Sequence, residues 1–597
     1  MSGTAEQPAL EPARRRGRRR TGGRPPVLRI LLSLLLLLLL AWAAAVAVAG
    51  VQAGRALQRV AAEAPRLEGQ VRAKDYAGAR EGAARLADDS AAADRATSQL
   101  PYRLATHLPW VGAQLKAVGG GAHAAALLTE PLPQALGVVD EVLGQGLVSA
   151  DRTVNVAGVQ ELTPIVLDYQ TRIEAARTAL HDGEGPEVLS AISTRLDPVT
   201  AQLDQASGPL QTASQVLPQL PALLGADGPR TYLVAFTNPA EVRPVQGIVG
   251  AYAYLSVEGG RIALTRTGTD NDLYAARADV SLVGQEFLGL YGQDAARVQN
   301  VTMGGSAAEA GVLTSSLVTV AGLPTPDVVV FVDPVGLGQL LGSAHPPLQL
   351  GPFGDVATAD LARTLMYDAY VRFGTDQDAR KAFLAVTSAA AFEAVLSDGL
   401  STAALDGARE AVDSGHLAVW SSRPQEQSAL VAAGVAGVLG PPRDGVARVG
   451  LTGVVPSKLD YWVAPTFTVA PPCAGTGTTT SSMSLSLANS VPADVPAYVS
   501  NAAAPRAADR RTAVETVSLW VAPWVGLDQV TVDGRPVAAA VDSEGGWRLV
   551  RVTVSVRPGT STTVEWRFSG AADALPRTVD GPTTATAPRV TTSSCTP

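Results

Sequence analysis

The chain has 597 residues, 46% of them hydrophobic and 17% charged, with a net charge of −8. Arg14, Arg15, Arg16, Arg18, Arg19, Arg20, Arg24 and Arg29 are opposed at that end only by Glu6 and Glu11, so the remainder is more acidic still. That balance excludes nucleic acid as the partner of the folded region, and its length of about 540 residues calls for two to four domains.

The first element is a membrane helix. Ile30 to Val51 carries no charged side chain, and its rise of about 33 Å matches a hydrocarbon core of roughly 30 Å. The arginine cluster ahead of it predicts a cytoplasmic tail over 1–29 and an extracytoplasmic remainder. Ala47-Val48-Ala49 resembles a signal-peptidase site, but the apolar run exceeds the roughly 7–15 residues of a signal peptide, so a single-pass anchor over 30–51 is expected.

Residues 52–226 read as a helical stalk. Leu67, Val71, Ala79, Ala83 and Leu86 recur on one helical face, as do Ile165, Tyr169, Ile173, Ala176 and Leu180, and then Leu196, Val199, Leu203, Leu210, Ala213 and Leu217. Pro101, Pro109, Gly119-Gly120-Gly121 and Gly183–Pro186 mark the breaks.

From 227 to 465 the pattern is that of an α/β domain. Tyr232–Phe236, Val249–Val257 and Asp327–Asp333 are apolar strand candidates, and Glu258-Gly259-Gly260-Arg261 is a hairpin signal. Helices are expected over 358–373, 378–397 and 425–436.

Period-two alternation in Met483–Leu487 and Val550–Val556, with turns at Asp533-Gly534, Gly545-Gly546 and Pro558-Gly559, predicts a β-sandwich over 466–570. The Thr/Pro/Ala-rich segment within 571–597 is expected to be flexible. Cys473 and Cys595 are the two cysteines. Outside the cell they could pair, closing a loop worth about 4–5 kcal/mol, or stay free or link two chains. With no histidine near them they do not form a zinc site.

The segment Gly228–Arg261 holds Arg230, Tyr232, Leu233, Asn238, Glu241, Arg243 and Gly247. They fit the pattern R-x-Y-L-x-x-x-x-N-x-x-E-x-R-x-x-G-G, with Gln246 in place of the first glycine of the pair. This resembles the domain-of-unknown-function 4012 family of bacterial membrane-anchored surface proteins. Leu108-Pro109-Trp110-Val111-Gly112, Val332-Asp333-Pro334, Lys458-Leu459-Asp460-Tyr461 and Ala488-Asn489-Ser490 extend the similarity along the chain. The resemblance implies a surface protein without implying an activity. A weaker similarity, through Arg243 and the Asp376…Arg380 spacing, is to the LytR-CpsA-Psr phosphotransferases. Those enzymes move glycopolymers from a polyprenyl-pyrophosphate carrier, with arginines on the pyrophosphate and aspartates on magnesium. Pro244-Val245-Gln246 stands where their first aspartate would follow, and Thr265-Arg266-Thr267 where a Pro-Arg-Asp motif would. That departure puts the metal chemistry in doubt.

The ligand-binding candidates are therefore Arg243, Arg380, Asn238, Glu241 and Asp376. Arginine suits phosphate because its planar fork donates bidentately. The structural alternatives are an ion pair between Glu241 and Arg230 or Arg243, and a helix start at Asp376 and Asp378, where acids answer the helix macrodipole. Gly-x-Ser-x-Gly, Walker and dinucleotide fingerprints are missing from the sequence. The expectation is a non-catalytic cell-envelope module needing no cofactor, whose partners are the membrane and a cell-wall glycopolymer or its lipid-linked precursor. The alternative is a phosphotransferase, for which magnesium would be required.

Overall fold

The structure, a computed structural model, describes residues 26–145, 148, 153–398, 402–472, 478–502 and 504–594. It separates into two compact units, one of residues 1–137 with 171–207 and the other of 138–170 with 208–597. The expected stalk over 52–226 is thus not one body, because 138–170 pack with the later residues.

Among the described residues seven helices form the N-terminal region: α1 Pro26–Arg72, α2 Tyr76–Thr97, α3 Leu100–Ala105, α4 Val111–Thr129, α5 Leu132–Gln145, α6 Val156–His181 and α7 Ser190–Val216. Among the described residues α1 is the one helix long and apolar enough to cross a membrane, which fits a single-pass anchor or a signal sequence. Its leucines from Leu31 to Leu40 are exposed. From Ala53 onward α1 turns a small-residue stripe inward: Ala53 and Ala56 pack with Ala93 and Ala96 of α2 and Ala122 of α4. Arg59 meets Asp89 at 2.7 Å and Glu63 meets Arg85 at 2.6 Å, which fixes α2 antiparallel to α1. The face expected to run unbroken from Leu67 to Leu86 is interrupted at Lys74, whose φ is +59°. There the Asp75 carboxylate accepts the Gly78 N–H at 3.0 Å and starts α2 as its cap.

Beyond the segments of α5, α6 and α7 that belong to it, the second unit continues with α8 (Leu220–Leu223) and then a mixed sheet. Its first strands are β1 Arg230–Asn238, β2 Ile248–Glu258 and β3 Arg261–Thr269, the last two forming the expected hairpin. Helices α9 (Gln285–Tyr291) and α10 (Ala307–Val320) lead to β4 Val328–Val332, which pairs parallel with β1. After α11 (Pro334–Leu341), the ribbon of β5 (Leu348–Gln349) and β6 (Asp355–Val356), α12 (Leu361–Arg363), α13 (Ala369–Phe373), α14 (Gln377–Asp398) and α15 (Thr402–Asp413) comes β7 Leu417–Ser421. The sheet order is β3-β2-β1-β4-β7. Both faces of β1 are covered. Leu233 and Ala235 face Leu313 and Leu317 of α10, while Val234 faces Leu337 of α11 and Phe383 of α14. This two-sided burial is why β1 and β4 read as continuous apolar runs.

At the start of β1, Arg230 is pinned rather than presented. Its Nη1 and Nη2 donate to Glu426 Oε1 and Oε2 at 2.7 and 2.9 Å, and both residues are buried. Glu426 lies on α16 (Pro424–Ala432). The alternative in which Arg230 pairs with Glu241 is therefore replaced by a pair with Glu426.

The remaining strands are β8 Val446–Gly453, β9 Val463–Ala470, β10 Thr478–Asn489, β11 Ala513–Val521, β12 Gly526–Val532, β13 Arg535–Pro536, β14 Ala540–Glu544, β15 Trp547–Val556, β16 Ser561–Ala571, β17 Thr578–Asp580 and β18 Arg589–Thr592. They make two sheets, β13-β12-β16-β10-β9-β18 and β14-β15-β11-β8-β17. Phe467, Leu485, Trp566 and Phe568 from one sheet and Leu451, Val517, Val550 and Val554 from the other share one core. Two expectations change here. Strand β8, assigned from sequence to the α/β region, is a partner of β11 in the second sheet. The tail expected to be flexible supplies β17 and β18, which pair parallel with β8 and β9. Cys473 and Cys595 lie outside the described residues, and the last described pair ahead of them is Val469 with Thr592.

Candidate functional site

β1 ends at Asn238, and the chain turns through residues 239–247 before re-entering as β2. Asn238 Oδ1 accepts the Ala240 N–H at 3.1 Å, and the Glu241 N–H donates to the Asn238 carbonyl at 3.0 Å. The turn closes through two left-handed residues, Gln246 at φ +58° and Gly247 at φ +96°. A Cβ on residue 247 would stand 2.1 Å from the Asn238 carbonyl oxygen. Gly247→Ala is accordingly expected to cost about 1–3 kcal/mol through the forced φ, read as a lowered denaturation midpoint.

Arg243 leaves this turn in a different direction from Asn238 and Glu241. Its Nη1 donates to the carbonyls of Val242 and Gly453, both at 2.9 Å. Nε reaches the Gln299 carbonyl at 3.3 Å and Nη2 the Asn300 Oδ1 at 3.3 Å. The guanidinium thus ties the α/β region to β8. Burial lowers its pKa, with Asp460, Glu241 and Glu515 opposing that shift. Arg243 and Arg380, both ligand candidates from the sequence, do not meet on one cleft, because the fork of Arg243 is spent on the Val242, Gly453 and Gln299 carbonyls and the Asn300 side chain.

Asn238, Glu241 and Arg380 instead line a cleft of ≈ 390 Å³ at the carboxyl ends of β1 and β4. In open sheets this is where ligands are received, since loops diverge there and leave a crevice. Three cations reach it: Arg380 and Lys381 on α14, and Lys458 from the segment before β9. Arg380 is buried, with its guanidinium carbon 4.2 Å from the Tyr498 ring centre and 5.1 Å from that of Tyr370. Nη1 donates to the Gly374 carbonyl at 2.9 Å, and this is the one hydrogen bond of the side chain among the described residues. Lys458 Nζ pairs with Glu241 Oε2. Burial pulls the Lys458 pKa down, but Glu241 and Tyr370 outweigh it and the net shift is upward. Asp270 also lines the cleft, and burial raises its pKa against the pull of Lys381.

Asp376 does not line the cleft. Its Oδ1 accepts the Ala379 N–H at 3.0 Å at the start of α14, which is the helix-start reading. Asp333 borders the cleft, yet its carboxylate is committed. Oδ1 caps α11 through the N–H groups of Val335 and Gly336, and Oδ2 meets His416 Nδ1 at 2.5 Å. Among the described residues there is no group of three or more His, Cys, Asp or Glu side chains placed to hold a metal ion.

Residues 227–370 match the family model described as protein of unknown function (DUF4012). No curated protein and no solved structure matches the chain. The DUF4012 segment contains the turn with Asn238, Glu241 and Arg243, whereas Arg380, Lys381 and Lys458 lie beyond the matched range. The glycine pair of the motif has a physical cause in this turn: both positions are left-handed, so Gln246 occupies a conformation that glycine adopts without strain. Sequence reading missed Asp270, Tyr370, Lys381, Lys458 and Tyr498 as cleft residues. The usable signal was Lys458-Leu459-Asp460-Tyr461, a segment that resembles the family's pattern but lies beyond the matched range.

Proposed function

We propose that the chain is a membrane-anchored extracytoplasmic protein of the cell envelope whose α/β region binds an anionic group. The N-terminus is cytoplasmic, α1 is the anchor, and the two packed sheets form a β-sandwich outside. The observation that carries the reading is the convergence of Arg380, Lys381 and Lys458 with Asn238 on one cleft. A phosphate of an envelope glycopolymer or of its lipid carrier fits this set, since arginine and lysine bonds to phosphate are charge-assisted. Glu241 pairs with Lys458 at the cleft and would have to yield to an entering anion. The binding reading is preferred to phosphotransfer because the carboxylates do not gather into a metal-holding set among the described residues.

The test is calorimetric titration of the protein with inorganic pyrophosphate and with polyprenyl pyrophosphate. Arg380→Ala should weaken binding about tenfold to a hundredfold, the loss of one charge-assisted bond of roughly 1.5–3 kcal/mol. Lys381→Ala, at a partly exposed position, gives a second variant that spares the core. Arg243→Ala should lower the melting temperature instead, through loss of the Gly453 and Gln299 carbonyl bonds. Absence of binding by the wild-type protein, with or without magnesium, overturns the proposal.

A further inference from the structure

The N-terminal helical unit carries an apolar surface that its own core does not use. Leu100, Leu104, Leu108, Trp110 and Val111 are all exposed, Leu100 at 69% and Trp110 at 58%. They occupy α3 and the turn into α4. In that turn Trp110 has φ +59°, an uncommon conformation for a bulky side chain. The turn is held from within: the Gly112 N–H donates to the Leu108 carbonyl at 2.9 Å, and a Cβ on residue 112 would lie 2.2 Å from the Thr106 carbonyl oxygen. The backbone is thus constrained at Leu108-Pro109-Trp110-Val111-Gly112 while its indole is left in the open.

The position of this surface along α1 says what covers it. The Trp42 indole N–H donates to the Pro101 carbonyl at 2.9 Å. Trp42 lies within the uncharged run that ends at Val51, and the rise between those two residues is about 14 Å. The start of α4 agrees. Ala122 packs with Ala53 and Ala56, and the rise back to Val111 is about 16 Å toward the membrane end of α1. Between Asp94 and Glu130 the chain has no acidic residue, while Arg95, Arg103 and Lys116 are basic. Aromatic and leucine side chains with basic neighbours and no acid within their own stretch of chain suit the boundary between acyl chains and headgroups, and the acidic turn at Glu187 joins α4 one turn further along, at Gln114.

We propose that residues 100–111 form a wedge embedded in the outer leaflet beside α1, so that the helical unit is seated in the bilayer rather than held clear of it. The partner is the lipid surface itself. This rests on α1 being a retained anchor, and the test separates the two claims. In full-length protein with Cys473→Ser and Cys595→Ser, single cysteines at Leu104, Leu38 and Val541 are labelled with an environment-sensitive fluorophore. The protein is placed in nanodiscs of phosphatidylcholine and phosphatidylglycerol carrying nitroxide lipids labelled at both shallow and deep positions, the shallow label reporting on residue 104 and the deep one on residue 38. Leu104→Cys should show blue-shifted emission and strong quenching by the nitroxide, and Val541→Cys neither. Quenching at Leu38→Cys without quenching at Leu104→Cys leaves the anchor intact and overturns the wedge. Absence of quenching at both positions removes the anchor as well. A blue shift at Leu104→Cys that follows protein concentration and ignores the nitroxide overturns the wedge in favour of a second copy of the chain.

Discussion

Glu426→Ala is expected to destabilise the protein by about 3–5 kcal/mol, the cost of leaving one member of a buried ion pair without its partner. Arg230 is 3% exposed, and both of its terminal nitrogens are bonded to the Glu426 carboxylate. Asp327 at 3.4 Å and the Ala222 carbonyl at 3.1 Å would remain, which places the effect toward the lower end of that range. The Ser421 hydroxyl, which donates to Glu426 Oε2 at 2.6 Å, loses its acceptor as well. The measurement is urea denaturation of the wild type and Glu426→Ala at neutral pH. The double variant Arg230→Met with Glu426→Leu removes both charges and should recover most of the loss, because the desolvation of an unpaired guanidinium is then gone. A double variant as unstable as the single one would show that the contacts rather than the charge hold β1 to α16.

The parts of this fold that were legible in the sequence are those whose cause is local. The Tyr232–Phe236 and Val328–Val332 runs announce strands buried on both faces, and alternation in Met483–Leu487 announces one facing a core. The Asp376 start of α14 is equally local, since capping involves only the next three residues. What escaped depends on partners distant in the chain. Arg243 stood out as a polar residue beside glycine, but its partners are the carbonyls of Gln299 and Gly453, and backbone acceptors leave no trace in the residue types around them. Lys458 reaches Glu241 across 217 positions, so neither advertises the other. Strand β8 did carry a signal, the alternation of Ala447, Val449 and Leu451, all buried. It was masked by the helical region before it, which drew the boundary too late. Strand β18 carried little: Arg589–Thr592 is an exposed edge, and its parallel pairing with β9 is made by backbone groups together with the Thr591 hydroxyl, which donates to the Phe467 carbonyl at 2.9 Å and meets the Thr468 hydroxyl at 3.1 Å.

The carboxyl pair behind Arg243 sets the second large effect. Glu515 on β11 is 1% exposed, and neither of its oxygens meets an N–H or hydroxyl donor. Asp460 is also buried and accepts the Val242 N–H at 2.8 Å. Burial, and after it the neighbouring Asp460, raises the Glu515 pKa well above its ordinary 4.5, with Arg243 opposing the shift. Glu515, beside Asp460, therefore keeps its proton to a higher pH in the folded protein than in the unfolded chain. The sign for stability follows. In the unfolded chain Glu515 ionises near its ordinary value, so above that pH the folded state binds the extra proton and unfolding releases it. Stability is then undiminished at acid pH and falls as pH rises above about 4.5, by up to about 1.4 kcal/mol per unit until the folded-state pKa is reached. Glu515→Gln keeps a donor for Asp460 and has no proton to lose. Against pH, its stability should fall less steeply than that of the wild type, and the difference between them should grow in the variant's favour as pH rises above about 4.5, up to the folded-state pKa of Glu515. Arg243 faces the same pair and is present in both proteins. Denaturation curves at each pH give the result directly, and parallel profiles for the two proteins would mean that Glu515 does not keep its proton to a higher pH.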